Sequence, residues 1–184
     1  MPRIYLIRHG HAAASFGEDR DPGLDEPGRA QAEAVAGRLQ GIGPCLILSS
    51  PLKRTLETAA PLARLWSRTP VLEPAVTEIP SPKGMSLEER VVWLRKLMAG
   101  SWRDVPPDLA QWREACVAAV AALQEDAVVF SHYVAINVLM GAAQADDRVV
   151  VFTPAYCAVT VFDNAGGKLR LLEKGDEASL TKVN

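Results

Sequence analysis

The sequence predicts an α/β fold with three layers, in which helices cover both faces of a mostly parallel sheet. Short apolar segments alternate with amphipathic helices along the chain, which is typical of parallel strands connected by helices. The first strand, residues 4–7, is wholly apolar, as expected for a strand covered on both faces. The turn DNAGG at 163–167 has the composition of a β-hairpin, so part of the sheet is expected to be antiparallel.

The first predicted helix, residues 26–40, follows a loop rich in glycine and aspartate. Its apolar side chains recur at helical spacing and form one apolar face. Pro27 lies in the first turn, where its missing N–H is tolerated, and Gly41 lies just beyond the end. We therefore expect this helix to connect the first strand to a second buried strand at residues 45–48.

Another helix is predicted directly after the second strand. Ser50 has the side chain of an N-cap, and Pro51 would then occupy the first helical position. Pro61 falls well inside this helix, so we expect a kink or a break there, because proline lacks the N–H that a helix interior needs. A short third strand is expected at residues 71–72.

The segment at about 73–107 differs from the rest of the chain. It is rich in proline and contains one strong helix, which begins with the capping box SLEE at 86–89 and ends before Gly100. We predict that residues 1–184 form a single domain and that this segment is an excursion from it that acts as a lid.

The remaining segments are predicted to return to the sheet. An apolar stripe indicates a helix over residues 107–124, followed by a strand at 128–130 and a helix at 134–140. Further strands are expected at residues 149–151, 157–162 and 169–172.

The composition excludes several classes of protein. With 20 basic and 22 acidic side chains the net charge is −2, so no global basic field favours nucleic acid. The cysteines are odd in number and widely spaced, which argues against a disulfide framework. The apolar run near the N-terminus is too short for a signal peptide or a membrane span. We expect a cytoplasmic protein with neither nucleic acid nor membrane as a partner.

All three histidines of the chain follow predicted strands. His9 and His11 come directly after the first strand, and His132 follows the strand at 128–130 after one serine. Ligands bind at the carboxyl edge of an open α/β sheet, where these side chains would meet. A neutral imidazole there can attack phosphorus and form a phosphohistidine, which splits one difficult displacement into two easier ones.

Two arginines are expected at the same edge. Arg8 precedes His9, and Arg54 follows the second strand in the first turn of its helix. The planar guanidinium group binds phosphate through two hydrogen bonds, and backbone N–H groups at a helix start also favour anions. A protonated His132 would add a donor. These groups together predict a phosphate site around His9.

Four blocks of the sequence resemble the histidine phosphatase (phosphoglycerate mutase-like) superfamily. They are RHG at 8–10, LDEPGRAQA at 24–32, the segment from SSP to ETA at 49–59, and VVFSH at 128–132. RHG alone is common by chance, but four blocks in order and in the right strand or helix context are specific. The resemblance implies a phosphoglycerate mutase-like fold and a phosphatase that acts on phosphomonoesters without a metal or another cofactor.

The resemblance also implies a role for individual residues. His9 would be the phosphorylated nucleophile. A glutamate of the excursion would protonate the leaving group and later accept a proton from water, with Glu78 as the candidate and Glu73 as the reserve. The phosphate pocket would be lined by Arg8, Arg54 and His132.

Some positions depart from the family pattern. Tyr133 stands where the family often has glycine, and its ring could narrow the mouth of the site or contact the substrate. His11 stands where the mutases usually have Glu or Gln, and it either contacts the substrate or only flanks the pocket. The mutases also have an asparagine soon after RHG and a Trp-Glu-Gly pattern after the acid, and neither is present here. These departures argue against a sugar-phosphate mutase.

Alternatives to a phosphatase stay open. One is a phosphoglycerate mutase-type phosphotransferase, and another is a member that binds phosphorylated ligands without turnover. A metal-dependent hydrolase could use the HxH pair His9 and His11 with His132, but the charges of Arg8 and Arg54 would disfavour a dication. The expected partner is a phosphorylated small molecule, and a phosphoprotein fits the same chemistry.

Overall fold

The centre of the fold is a β-sheet in residues 1–15 and 18–178, which are the residues that the computed structural model describes. The strands are β1 (Arg3–Arg8), β2 (Leu46–Ser49), β3 (Val71–Leu72), β4 (Ala127–Ser131), β5 (Val159–Ala165) and β6 (Lys168–Glu173). Within this part of the chain the strand order is β3-β2-β4-β1-β5-β6. β3, β2, β4 and β1 run parallel, whereas β5 is antiparallel to both β1 and β6. The predicted parallel sheet with an antiparallel portion is confirmed.

Helices cover both faces of this sheet. The α-helices are α1 (Glu26–Leu39), α2 (Lys53–Trp66), α3 (Leu87–Met98), α4 (Pro107–Ala121) and α5 (Tyr133–Gln144). Alternate side chains of β4 enter two separate cores. Val129 packs in the core that contains buried residues of α3, α4 and α5, whereas Val128 and Phe130 pack against α1 and α2. The three-layer α/β architecture predicted from the sequence is therefore confirmed.

The hairpin between β5 and β6 turns at the predicted glycines. Gly166 and Gly167 have φ angles of 65° and 91°, and these positive values are those that a two-residue hairpin turn requires. The side chain of Asn164 accepts a hydrogen bond from the Gly167 N–H at 2.7 Å. Glycine avoids the steric cost that other residues meet at positive φ.

The start of α2 differs from the prediction. The helix begins at Lys53 with Leu52 as its N-cap, so Ser50 is not the cap. Ser50 and Pro51 form the turn between β2 and the helix, and the Ser50 hydroxyl is hydrogen-bonded to His132. The predicted break at Pro61 is also wrong, because α2 continues through it to Trp66.

The strand predicted at residues 149–151 does not form. Its backbone N–H groups bond to other partners: Val149 N donates to the Gly100 carbonyl at 3.1 Å, and Val151 N donates to Asn137 Oδ1 at 2.7 Å. Val149 is fully buried, so the apolar run reflects core packing and not a sheet ladder. A short apolar run does not by itself distinguish a buried loop from a strand.

The excursion packs against the face of the sheet that carries α4 and α5. The predicted capping box is present: Ser86 Oγ accepts from Glu89 N at 3.2 Å, and Glu89 Oε2 accepts from Ser86 N at 2.8 Å. Leu94 of α3 and the nearby Trp102 are buried in the core of that face. None of the described helices is both long and apolar enough to cross a membrane.

Candidate active site

The ends of three neighbouring strands bring the predicted site residues together. β4 lies between β2 and β1, so the residues that follow these strands are adjacent in space. Backbone hydrogen bonds continue the pairing beyond the strands: His9 N donates to the Ser131 carbonyl, and Ser50 N donates to the Phe130 carbonyl, both at 3.0 Å. The segments that carry His9, Ser50 and His132 therefore start from fixed positions at one edge of the sheet.

His9 is buried and has a defined tautomer. Its Nδ1 lies 2.8 Å from the Gly10 carbonyl oxygen. Because a carbonyl only accepts hydrogen bonds, Nδ1 carries the hydrogen and Nε2 keeps its lone pair. Burial, together with the charges of Arg8 and Arg54, holds the pKa of His9 well below its ordinary value. The ring is consequently neutral near pH 7, which is the form that a nucleophile requires.

Arg8 is held in place by residues from two other segments. Its Nη1 donates to the Pro154 carbonyl at 2.7 Å. The guanidinium carbon lies 4.0 Å from the ring centroid of Tyr156 and 5.1 Å from that of Tyr133, which is the geometry of cation–π contacts. These contacts fix the position of a cation directly before His9.

Arg54 lies in the first turn of α2, and its side chain is buried. Its Nη1 is 4.0 Å from Asp21 Oδ1, and its charge acts on both His9 and Glu78. Thr58, one turn further along α2, links the helix to the loop after β1, because its hydroxyl donates to the Arg54 carbonyl and accepts from Gly10 N. Because Arg54 and Thr58 are one helical turn apart, α2 positions both the Arg54 side chain and the loop that contains Gly10.

Glu78 faces the same centre from the excursion. It is 5 % exposed, and its Oε1 accepts from Ile79 N at 3.0 Å. Burial raises the pKa of Glu78, although the charges of Arg54, Arg8 and Arg90 oppose the shift. The segment before it is anchored to the sheet, because Ser131 Oγ donates to the Val76 carbonyl at 2.7 Å. A carboxyl group with a raised pKa at this position can act as an acid.

His132 is fully buried between Glu78 and His9. Its ring centroid is 5.3 Å from that of His9, and its Nδ1 is 3.9 Å from Glu78 Oε2. Burial and the surrounding cationic groups hold the pKa of His132 well below its ordinary value. His132 is therefore neutral, and its approach to Glu78 is not an ion pair. Burial thus disfavours the protonated form of His132 that the sequence analysis considered as a donor to an anion.

The side chain of His11 is half-exposed and is hydrogen-bonded to Asp25. Its Nδ1 lies 2.5 Å from Asp25 Oδ2, and half of its side chain is exposed. The ring contacts Tyr156 edge-on at 5.0 Å, and Tyr156 in turn lies 5.9 Å from the His9 ring. His11 and Tyr156 thus lie on the solvent side of the site, and Tyr133 lies beside Arg8.

The loop of residues 9–11, which follows β1, packs directly on the first turn of α1. A Cβ atom at Gly28 would lie 2.0 Å from the His11 carbonyl oxygen, so only glycine permits this approach. His11 N also donates to Gln31 Oε1, and Asp25 caps the helix by accepting from Gly28 N. The block that begins at residue 24 therefore positions the loop through backbone contacts.

We expect Gly28→Ala to lower both stability and activity, because the methyl group would displace the loop that carries His9. Overpacking of this kind costs about 1–3 kcal/mol. Gly37→Ala is the matched control, since Gly37 lies in the same helix and its Cβ would have no neighbour within 4 Å. That control should gain about 0.5–1 kcal/mol. Urea unfolding and kcat/KM decide the outcome, and a stabilised, fully active Gly28→Ala protein would contradict this packing argument.

The assembled groups suit transfer of a phosphoryl group. A neutral imidazole, two arginines, a neutral histidine and a buried carboxyl group surround one centre, which is the arrangement that phosphate binding and nucleophilic attack require. Within the described ranges, no group of three or more His, Cys, Asp or Glu side chains is placed to hold a metal ion.

The sequence motifs and the site geometry suggest a protein family, and comparison with a model of that family tests the assignment. The model of the histidine phosphatase superfamily (branch 1) matches residues 4–177. The chain belongs to the histidine phosphatase superfamily. The resemblance that the four sequence blocks predict is thereby confirmed.

Several members of the histidine phosphatase superfamily are similar to this chain. A probable phosphoglycerate mutase GpmB of Erwinia tasmaniensis is 28 % identical over 159 residues, covering 76 % of this chain and 74 % of that protein. A phosphoserine phosphatase of Entamoeba histolytica, solved with 3-phosphoglyceric acid, is 24 % identical with a TM-score of 0.75, covering 96 % and 98 % of the two chains. Bacillus stearothermophilus YhfR is 21 % identical with a TM-score of 0.75, covering 97 % and 98 %. The two solved structures support the predicted fold.

Two residues of this histidine phosphatase site were not predicted. Tyr156 contacts both Arg8 and His11, but it lies in an irregular segment without a recognisable motif. Ser50 was predicted as a helix cap and instead contacts His132. Two signals were available for Ser50: its position directly after a buried strand, like that of His9, and its place in the family-like block at 49–59.

Proposed function

We propose that this chain is a phosphomonoester hydrolase that acts through a phosphohistidine on His9. The observation that carries the proposal is the state of His9, whose Nδ1–H is bound to the Gly10 carbonyl and whose Nε2 is left free in a neutral ring beside two arginines. Family membership supports the same chemistry.

The reaction takes two displacements in this proposal. First, the Nε2 lone pair attacks phosphorus, the bond to the leaving oxygen breaks, and Glu78 gives that oxygen its proton. Arg8, Arg54 and His132 neutralise and hold the equatorial oxygens. Then a water molecule attacks the phosphohistidine while the Glu78 carboxylate takes its proton, which releases phosphate and restores the starting state.

The substrate that we propose is a phosphorylated small molecule, with a phosphoprotein as the less favoured option. The packing of the excursion against the domain supports a covered site, so we also propose that residues 73–107 act as its lid. Cys45, Cys116 and Cys157 are free thiols in the described structure, which supports a cytoplasmic location.

Rapid-quench labelling tests this proposal. A substrate that carries labelled phosphate should transfer the label to the protein within one turnover, in an acid-labile and base-stable bond, before labelled inorganic phosphate appears. Turnover without labelled protein would contradict a phosphohistidine. Binding without either product would identify a member that only binds phosphorylated ligands.

A mutase-type phosphotransferase is the second candidate, favoured by the similarity to a probable phosphoglycerate mutase. The same experiment separates the two activities by their products. A phosphatase delivers the label to inorganic phosphate, whereas a mutase delivers it to an isomer of the substrate. A screen of sugar phosphates, phosphorylated acids and nucleotides supplies the substrates for this comparison.

A further inference from the structure

One nitrogen of His132 lacks a partner although it lies inside the site. Nδ1 of this fully buried side chain makes no hydrogen bond with any of the described residues. The nearest carboxylate oxygen, Glu78 Oε2, is 3.9 Å away, which is too far for a hydrogen bond. A buried polar atom without a partner is costly, so its presence in a site indicates a group that is satisfied when a ligand binds.

The other ring nitrogen has a definite partner. Nε2 of His132 lies 2.8 Å from the hydroxyl oxygen of Ser50, which is also fully buried. Leu52 N donates to that oxygen at 3.3 Å, so the hydroxyl hydrogen remains available for an acceptor. Its possible acceptors are His132 Nε2 at 2.8 Å and Thr77 Oγ1 at 3.4 Å, and the closer one is the imidazole nitrogen.

The direction of this hydrogen bond determines the tautomer of His132. A neutral imidazole carries one hydrogen. If Ser50 donates to Nε2, the ring hydrogen lies on Nδ1, the atom without a partner. If His132 donates to Ser50 instead, Nδ1 carries a lone pair that would repel a phosphate oxygen.

We propose that Ser50 is a positioning residue that holds His132 in the Nδ1–H tautomer, so that the neutral ring donates a hydrogen bond to an oxygen of the bound phosphoryl group. The inference rests on the proposed function and deepens it. It explains how a histidine surrounded by arginines serves an anion site without becoming charged. Ser50 lies in the turn before α2. Because Leu52 and not Ser50 is the N-cap of that helix, the Ser50 hydroxyl can bond to His132.

Nuclear magnetic resonance of the histidine side chains tests the tautomer directly. The chain has three histidines, so selective ¹⁵N labelling gives three pairs of ring nitrogens, which single substitutions assign. In the ligand-free wild type we expect the hydrogen of His132 on Nδ1. A hydrogen on Nε2 in the wild type would overturn the inference by itself. This result does not depend on any variant or on whether the protein has phosphatase activity.

Variants of Ser50 and of its neighbour Thr77 test whether Ser50 holds His132 in the Nδ1–H tautomer. Ser50→Ala should raise the population of the Nε2–H form, which free histidine prefers, whereas Ser50→Thr should keep the wild-type form. Thr77→Val should also leave it unchanged, because the proposal gives the Ser50 hydroxyl hydrogen to His132 Nε2 at 2.8 Å and not to Thr77 Oγ1 at 3.4 Å. Persistence of the Nδ1–H form in Ser50→Ala, or a change of tautomer in Thr77→Val, contradicts the role assigned to Ser50.

Kinetics connect the tautomer to phosphate binding. We expect Ser50→Ala to lower kcat/KM for nitrophenyl phosphate about 10- to 100-fold, as loss of a supporting hydrogen bond does in other sites. It should also weaken inhibition by inorganic phosphate, and Ser50→Thr should restore both kcat/KM and the inhibition.

Ser49→Ala is the matched control, because Ser49 is equally buried and its hydroxyl donates to the Ser50 carbonyl. Equal losses in the two alanine variants would reduce Ser50 to a structural role, whereas failure of the proposed function would show as missing phosphoenzyme in the wild type.

Discussion

Replacing His9 by alanine is expected to abolish turnover of every phosphomonoester that the wild type hydrolyses. In the proposed mechanism the imidazole supplies the attacking lone pair, and no other described side chain at the centre combines a free nucleophilic nitrogen with the adjacent arginines. Loss of a covalent nucleophile lowers kcat by about 10⁴-fold or more. Initial rates and rapid-quench labelling measure the effect, and the labelled protein should disappear together with the activity.

The two remaining histidines provide the comparison for this result. His11→Ala and His132→Ala should both still form labelled protein, with slower formation for His132→Ala because a phosphate-binding group is lost. Thermal unfolding shows whether each variant keeps its fold. Near-normal activity of His9→Ala, or loss of the label only in His11→Ala, would contradict the assignment of the nucleophile.

Much of the fold could be predicted because its elements carry local signals. The apolar strands, the capping box of α3 and the glycines of the β5–β6 hairpin each follow from spacing or turn chemistry. The exceptions are elements that tertiary contacts decide. Residues 149–151 have the composition of a strand, but Asn137 and Gly100 take up their backbone hydrogen bonds. The sequence contains no sign of that competition.

The site residues were predictable where a reactive side chain directly follows a strand in the sequence. Arg8, His9 and His132 are recognisable because each lies at the end of an apolar run that continues into the sheet. The states of these groups were not predictable, because they depend on burial and on charges from distant segments. The raised pKa of Glu78 and the neutral ring of His132 both result from desolvation that appears only after folding.

The electrostatics of the assembled site suit an incoming dianion. Arg8 and Arg54 contribute positive charge, whereas burial lowers the pKa values of His9 and His132 and raises that of Glu78, which disfavours the charged forms of these three groups. Charge interactions are strong there because water does not screen them. In the proposed function, a phosphoryl group that enters this centre neutralises the arginines and accepts a hydrogen bond from His132 Nδ1, which has no partner in the described structure.

Replacing Glu78 by glutamine is expected to affect substrates according to their leaving groups. Glutamine keeps the shape and can still accept from Ile79 N, but it cannot give a proton to the leaving oxygen. Alkyl phosphates should therefore lose about 10²- to 10⁴-fold in kcat/KM. Nitrophenyl phosphate should keep most of its kcat/KM, because nitrophenolate leaves without protonation. Its kcat should fall, since attack of water also needs Glu78, and a burst of nitrophenol should precede the steady state.

The dependence on pH gives the same variant a second measurement. Burial raises the pKa of Glu78, so kcat/KM of the wild type for alkyl phosphates should fall only at a pH above the ordinary range of carboxyl groups. The acid side should reflect protonation of His9, whose lowered pKa moves that limb below the ordinary range of imidazole. The alkaline limb should vanish in Glu78→Gln.

Glu73→Gln is the matched control, because Glu73 lies in the same segment and its carboxylate accepts from Ala75 N. Equal losses of kcat/KM on both substrates in Glu78→Gln, or a dependence on the leaving group in Glu73→Gln instead, would remove Glu78 from the acid role.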